Sequence, residues 1–322
     1  MYEIADPFTI ARVKESKYLE TWNHAERAFA VDFMVATTLL TARAVVRVLG
    51  LPAARDVEAF AGGRVQMAEF GIPEGSPVAG QTVQEADRFD SLTFAAIFGD
   101  EEVVVPRGET RIEAGNEVVA IGSQDSVRSF AAAVAPHADG VDDVVIVGGS
   151  DVGYHVARLL EDRGVTPRLI EQDAERAREL AEALPDTTVL ESDGTDRDFL
   201  ERERIDEADA VVAALRNEER NLLASLFAKR LGADRAVAIV NDTEYVDLFE
   251  AVGVDVAVNP RKTTAQEITR FTRERQAENV ALVENDRAEV IEVEIDEESC
   301  SSPNPRTTAT AMEARKTSVS SP

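Results

Sequence analysis

Part of this chain is written twice. Val31-Asp32 is answered by Val254-Asp255, and Thr41-Ala42 by Thr264-Ala265, at a constant offset of 223 residues. Residues 30–77 and 253–300 run in parallel at that offset, VDFMVATTLLTARAVVRVL against VDVAVNPRKTTAQEITRFT. Identity is modest, but spacing and apolar pattern hold. The period is far longer than any solenoid repeat, so it implies two copies of a whole domain pair. The second copy begins with a glycine-rich segment. Its counterpart in the first copy falls roughly 80 residues before Met1. The expectation is a chain cut at both ends, the middle of a longer protein.

Residues 141–275 alternate strand and helix six times. The strand segments are DVVIVG, PRLIE, TTVLE, DAVVAAL, RAVAIV and VDVAV. Continuous apolar strands between amphipathic helices imply a parallel sheet covered on both faces. Residues 51–137 change character. Short strands RVQMAEFGI, TFAAIFG, EEVVVP and NEVVAIG are separated by the turn signals Pro73-Glu74-Gly75 and Pro106-Arg107-Gly108, and DSVRSFAAAVA closes as a helix. That is a small α+β unit. Residues 8–50 read as strand, helix, strand, helix, the last helix spanning TTLLTARAVVRVLG.

The strongest chemical signal is VVIVGGSDVGYHVARLLEDRG. A strand ends at Val147, Gly148-Gly149-Ser150-Asp151-Val152-Gly153 follows, and a helix starts there. The pattern is GxGxxG with Ser150 at the second glycine. Gly148 permits the tight turn, and Gly153 permits close packing of helix on strand. The helix N-terminus offers free N–H groups to a pyrophosphate. Ser150 adds a Cβ where the backbone approaches phosphate, and its hydroxyl is a possible phosphate donor. Glu171 ends the next strand, 18 residues past Gly153. An acid there accepts from ribose hydroxyls and favours NAD over NADP. Asp193 ends the third strand on the adenine side.

Charge excludes some partners. Sixty-one acidic residues stand against 34 basic ones, a net charge of −27, and only five of the basic residues are lysine. A phosphate backbone needs a basic face, so nucleic acid is excluded as a partner. The carboxylates are dispersed, as in proteins kept hydrated in concentrated salt, and imply a halophilic cytosol. The single cysteine, Cys300, rules out an internal disulfide or a Cys-based zinc site. No apolar run approaches the ~20 residues of a membrane helix, and MYEIADPFTI lacks the features of a signal peptide. No membrane insertion and a cytoplasmic location are expected. His24, His137 and His155 lie far apart in sequence and read as surface or packing residues. From Ser299 onward the apolar period is lost, and three basic residues face one acidic residue. This predicts a disordered tail or a shifted reading frame over 299–322.

Over residues 8–298 the chain resembles the TrkA-type regulators of potassium uptake, built from RCK (KTN) and TrkA-C domains. The resemblance rests on TIARVKESKYL, AFAGGRVQMAEFGIPEGSPVAGQTV, VVIVGGSDVGYHVARLLE, LIEQDAERARELAE, LESDGTD, ERNLLASLFAKRLGADRAVAIVND and VDVAVNPRKTTAQEI. It implies an α/β fold, a Rossmann-like doubly wound parallel sheet plus a small α+β TrkA-C domain, with a partial second copy of each. Residues 1–50 are then the C-terminal part of a first RCK domain, and 51–137 a TrkA-C domain. Residues 141–275 form a complete second RCK domain, and 276–298 the start of a second TrkA-C domain. The remnant within 1–50 would hold only strands 5 and 6 of a 3-2-1-4-5-6 sheet.

The resemblance further implies a non-enzymatic cytosolic subunit that binds NAD or NADH, or ATP/ADP. Such subunits form rings and gate a TrkH-like membrane potassium transporter, so the chain would sit peripherally at the inner face of the cell membrane. Gly148, Ser150, Asp151, Val152 and Gly153 would hold the pyrophosphate, Glu171 the ribose, and Asp193 with Gly194 the adenine border. Arg12 matches the family's phosphate-contacting arginine, and the second copy has Ile239 in that place. Two alternatives are a regulator of another potassium channel or antiporter and an NAD-dependent oxidoreductase. The oxidoreductase needs a proton donor in a substrate domain, and residues 51–137 hold no Lys or Tyr and only His137.

Overall fold

The computed structural model of the chain describes residues 8–14, 16–24, 31–99, 103–136, 141–273, 279–283, 288–293 and 309–314. Along the chain, β1 (Ile10–Val13), α1 (Ser16–His24), β2 (Phe33–Ala36) and α2 (Thr37–Leu49) come first. Next are β3 (Ala54–Phe60), β4 (Val65–Gly71), α3 (Val83–Ala86), β5 (Leu92–Phe98), β6 (Val103–Val104), β7 (Glu117–Ser123) and α4 (Gln124–Val134). The strand–helix alternation follows: β8 (Val144–Val147), α5 (Asp151–Glu161), β9 (Arg168–Glu171), α6 (Ala174–Ala183), β10 (Thr188–Glu191) and α7 (Arg197–Arg202). It continues with β11 (Ala210–Ala213), α8 (Glu218–Leu231), β12 (Ala236–Ile239), α9 (Val246–Ala251), β13 (Val256–Val258) and α10 (Pro260–Arg273). Strands β14 (Asn279–Val283), β15 (Ala288–Val293) and β16 (Ala309–Ala314) complete the described chain.

Two units divide these elements: Met1–Val46 with Val141–Glu267, and Arg47–Gly140 with Ile268–Pro322. In the first, six parallel strands take the order β10-β9-β8-β11-β12-β13. This is the 3-2-1-4-5-6 order that the family resemblance implies. The all-apolar runs VVIV, AVVA and AVAI are buried along their whole length as β8, β11 and β12 at the centre. TVLE, with exposed ends, takes the β10 edge. Helix starts follow local chemistry. Ser150, Asp173, Asp196 and Asn217 each accept a first-turn N–H at the start of α5, α6, α7 and α8.

Residues 10–36 form their own two-stranded parallel sheet, β1 with β2, in register Ile10 to Phe33. It belongs to the same unit as the six-stranded sheet. The Thr264 hydroxyl meets the Thr37 hydroxyl at 3.2 Å, and Thr41, the counterpart of Thr264 in the repeat, is fully buried. Two strands alone bury too little to persist, and this pair shares one compact unit with 141–267.

In the second unit a five-stranded sheet runs β3-β4-β7-β5-β6, antiparallel throughout. Phe70, Phe89 and Phe94 all pack edge-on around Phe130 of α4. Strand β3 and the one-turn α3, which Thr82 and Glu85 close with a capping box, escaped the sequence reading. A separate three-stranded antiparallel sheet holds β14, β15 and β16. This corrects two expectations. The second small unit continues past one strand, and 309–314 is paired strand where no structure was expected. The alternation in ATAMEA is too short to outweigh its polar flanks, and only pairing with β15 gives it a conformation. The expectations for 25–29, His137, 294–308 and 315–322 lie outside the described residues. Among the described residues, no helix is long and apolar enough to cross a membrane.

Candidate functional site

The site is built at the carboxyl ends of β8, β9, β10 and β11, where the strand order reverses and open α/β sheets place their ligands. Gly148 leaves β8 with φ +111°, a conformation that favours glycine. A Cβ on it would lie 2.8 Å from the Ala214 backbone. On Gly153 a Cβ would come within 2.1 Å of the Gly148 carbonyl oxygen. The loop and the first turn of α5 are therefore in backbone contact, as the glycine spacing requires. Ser150 is the N-cap of α5. Its hydroxyl accepts from the Gly153 N–H at 3.3 Å and donates to the Ala214 carbonyl at 2.6 Å. The serine hydroxyl thus ties the head of α5 to the residue that follows β11.

Asp151 opens α5 between two cations, 3.8 Å from the Lys14 ammonium and 4.0 Å from the Arg176 guanidinium. Val152 is half-buried beside it. Glu171 ends β9 and turns back onto the loop, accepting from the Gly149 N–H at 2.7 Å and from the Asp173 N–H at 2.8 Å. Gly149 permits that approach, since a Cβ there would lie 2.3 Å from Leu180 and 2.8 Å from the Glu171 carboxylate. Gly194 packs on β8, where a Cβ would lie 2.2 Å from a Val147 methyl. All eight candidate residues thus converge on this end of the sheet.

Asp193 accepts from the backbone and hydroxyl of Thr195 at 2.9 and 2.7 Å, and from Arg220 at 2.5 Å. Partial burial pushes its carboxyl up, but the Thr195 hydrogen bonds and the Arg220 charge outweigh this and hold it below the ordinary 3.8. A carboxyl lowered by folding stabilises the fold above its unfolded pKa and loses that contribution as pH falls through the folded value. Urea midpoints should therefore drop below about pH 4 more steeply in the wild-type chain than in Asp193→Asn. Equal slopes would mean these bonds persist in the unfolded chain or never form.

A cavity of about 650 Å³ opens beside the glycine loop. Ser150, Asp151 and Val152 line one wall, Ala214–Arg216 with Ile239 and Asn241 a second, and Arg12, Lys14, Thr37 and Arg261 the remainder. Arg12 and Ile239 thus line the same cavity. Four cationic side chains face a single carboxylate, in a chain of net charge −27.

Several residues of this region escaped the sequence reading. Arg176 donates to the Gly149 carbonyl at 3.0 Å, and Arg220 reaches Asp193. Asn221, fully buried, joins Leu215 to Ile239. Only Asn221 left a trace in the sequence, as an amide on the apolar side of an otherwise regular helix pattern.

The glycine loop, the acid after the second strand and the 3-2-1-4-5-6 sheet define a Rossmann-type nucleotide domain. Residues 144–260 match the TrkA-N domain, and residues 67–135 match the TrkA-C domain. A Trk system potassium uptake protein of Methanosarcina mazei is 34% identical over 295 residues, covering 91% of this chain and 73% of that protein. A TrkA homolog of Archaeoglobus fulgidus is 34% identical over 275 residues, 85% of this chain and 63% of its own length. The chain belongs to the TrkA family. It spans about two thirds of the length of these relatives. Among solved structures, the GsuK RCK domain shares the fold, with a TM-score of 0.60 at 20% identity, covering 91% of this chain and 62% of that one. The GsuK channel bound to NAD matches equally well, with a TM-score of 0.60 over 92% of this chain and 52% of that one.

Proposed function

We propose that this chain is a nucleotide-binding regulatory subunit of potassium uptake, without catalytic activity of its own. The observation that carries the reading is the cradle at the head of α5. Cβ atoms on Gly148 and Gly153 would strike backbone, so only glycine lets the loop turn tightly onto the head of α5, where a helix N-terminus favours a phosphate. Gly148, Ser150, Asp151, Val152 and Gly153 would hold the pyrophosphate. Glu171 would take the ribose hydroxyls after releasing the Gly149 N–H, and Asp193 and Gly194 would border the adenine. NAD(H) or ATP/ADP fits this donor set. NAD is also the molecule named with the GsuK channel of the same fold. The four cations of the adjoining cavity favour a ligand that brings negative charge there.

Gating requires that the ligand bind two arrangements of the domains unequally. The partner is a TrkH-like potassium transporter, which would hold this chain at the inner face of the membrane. Self-association into a ring has a surface to use: Leu223, Tyr245, Leu248 and Val252 are 41–50% exposed on and beside α8 and α9.

Thermal unfolding in KCl with NAD, NADH, ATP and ADP tests the reading. Ligand at 100 times its Kd should add about 2.7 kcal/mol, a rise of about 5–10 °C for a unit of this size. NADH, without the positive charge of the oxidised nicotinamide, should bind tighter than NAD beside these cations. Unchanged melting with all four compounds would overturn the proposal.

A further inference from the structure

Arg220 sits in the first turn of α8, the helix that follows β11. Its guanidinium does not stay there. It donates to Asp193 at 2.5 Å, to Gln172 at 3.2 Å and to Thr195 at 3.5 Å. Gln172 follows β9, and Asp193 and Thr195 follow β10. In the order β10-β9-β8-β11, the side chain thus reaches from the far side of the switch point across the mouths of β8 and β9. That is the crevice in which a Rossmann-type sheet receives the adenosine half of its ligand.

The cavity reflects this. It takes in Ser150, Asp151 and Val152, but its lining does not include Glu171, Asp193 or Gly194. The phosphate side of the site is open, whereas the adenosine side is spanned by one side chain. Glu171 is meanwhile held on the Gly149 N–H.

We infer that Arg220 is a strap across the adenosine pocket, and that a nucleotide enters only when the Arg220–Asp193 pair parts. This rests on the nucleotide reading above and deepens it, because it makes Arg220 a residue that sets affinity by its own release. A site competent only when the strap is open binds with an affinity reduced by the closed fraction. Both side chains are 38% exposed, so salt reaches the pair and weakens it. Rising KCl then has two opposed effects: it screens phosphate binding and it opens the strap.

The test titrates ATP and NADH calorimetrically into the full chain and its Arg220→Ala and Arg220→Gln variants, from about 0.2 to 2 M KCl, a range in which the Debye length falls well below 10 Å. Both variants should bind about three- to tenfold tighter than wild type at low salt. The advantage should shrink as KCl rises, because salt already opens the wild-type strap. Association rates should rise in the variants as well. Equal or weaker binding in both variants, with the wild type binding, would overturn the strap and leave the nucleotide reading standing. No binding by any of the three proteins would overturn both.

Discussion

Gly153→Val is expected to abolish the nucleotide-dependent rise in melting temperature and to destabilise the first unit by about 4 kcal/mol. The added Cβ would lie 2.1 Å from the Gly148 carbonyl oxygen and 3.2 Å from its carbon. These are backbone atoms at the end of a buried strand, with no side-chain rotamer to move aside. Helix α5 must therefore lift from the loop, which breaks the Ser150 cap and removes the helix N-terminus from the phosphate position. Gly164→Asn is the control. Gly164 has φ +80° with nothing within 4 Å of a Cβ, and asparagine tolerates that conformation. Its cost should stay below about 1 kcal/mol. Urea unfolding with and without ATP or NADH reads both quantities. A stable, ligand-responsive Gly153→Val chain would mean that α5 and the loop do not meet as described.

Asn221→Leu is expected to cost about 3 kcal/mol although the side chains are similar in size. Asn221 is fully buried, accepts from the Leu215 N–H at 2.7 Å, and donates to the Leu215 and Ile239 carbonyls at 3.2 and 2.8 Å. A leucine would remove the partner of the Leu215 N–H and of the Leu215 and Ile239 carbonyls. The loss should lower the melting temperature by about 6–12 °C. It should also loosen the loop that carries Arg216 and the first turn of α8 that carries Arg220, so ligand affinity should change along with stability. A melting temperature within about 2 °C of wild type would show that these groups find other partners.

Sequence pattern carried the fold further than it carried the site. Six apolar segments separated by amphipathic ones specify a doubly wound sheet, because parallel strands joined by helices close in few ways. Gly148 and Gly153 could be placed from spacing alone, since their requirement is local: one positive φ and one backbone contact at the head of the next helix. Glu171 and Asp193 followed because one ends the second strand of the alternation and the other lies just past the third. The strand–helix–strand–helix order of residues 8–50 was legible from apolar spacing.

The failures lie where a side chain chooses among distant partners. Nothing local to Ser150 says that its hydroxyl donates to Ala214, 64 residues on. Nothing near Arg220 says that it spans two strands to Asp193 in place of a neighbouring glutamate on its own helix. ATAMEA becomes strand β16 only because β15 offers it an edge.

By itself the sequence determined the strand–helix alternation, the glycine turn at the head of α5 and the acids at the strand ends. Each of these depends on periodicity or on backbone geometry within a few residues. Only the tertiary structure decided that the two-stranded sheet of β1 and β2 belongs to one unit with the six-stranded sheet. The same holds for the gathering of Arg12, Lys14, Arg216 and Arg261 around one cavity and for the reach of Arg220 over the adenosine side. Long charged side chains have several partners of similar energy within reach, and the packed backbone selects among them.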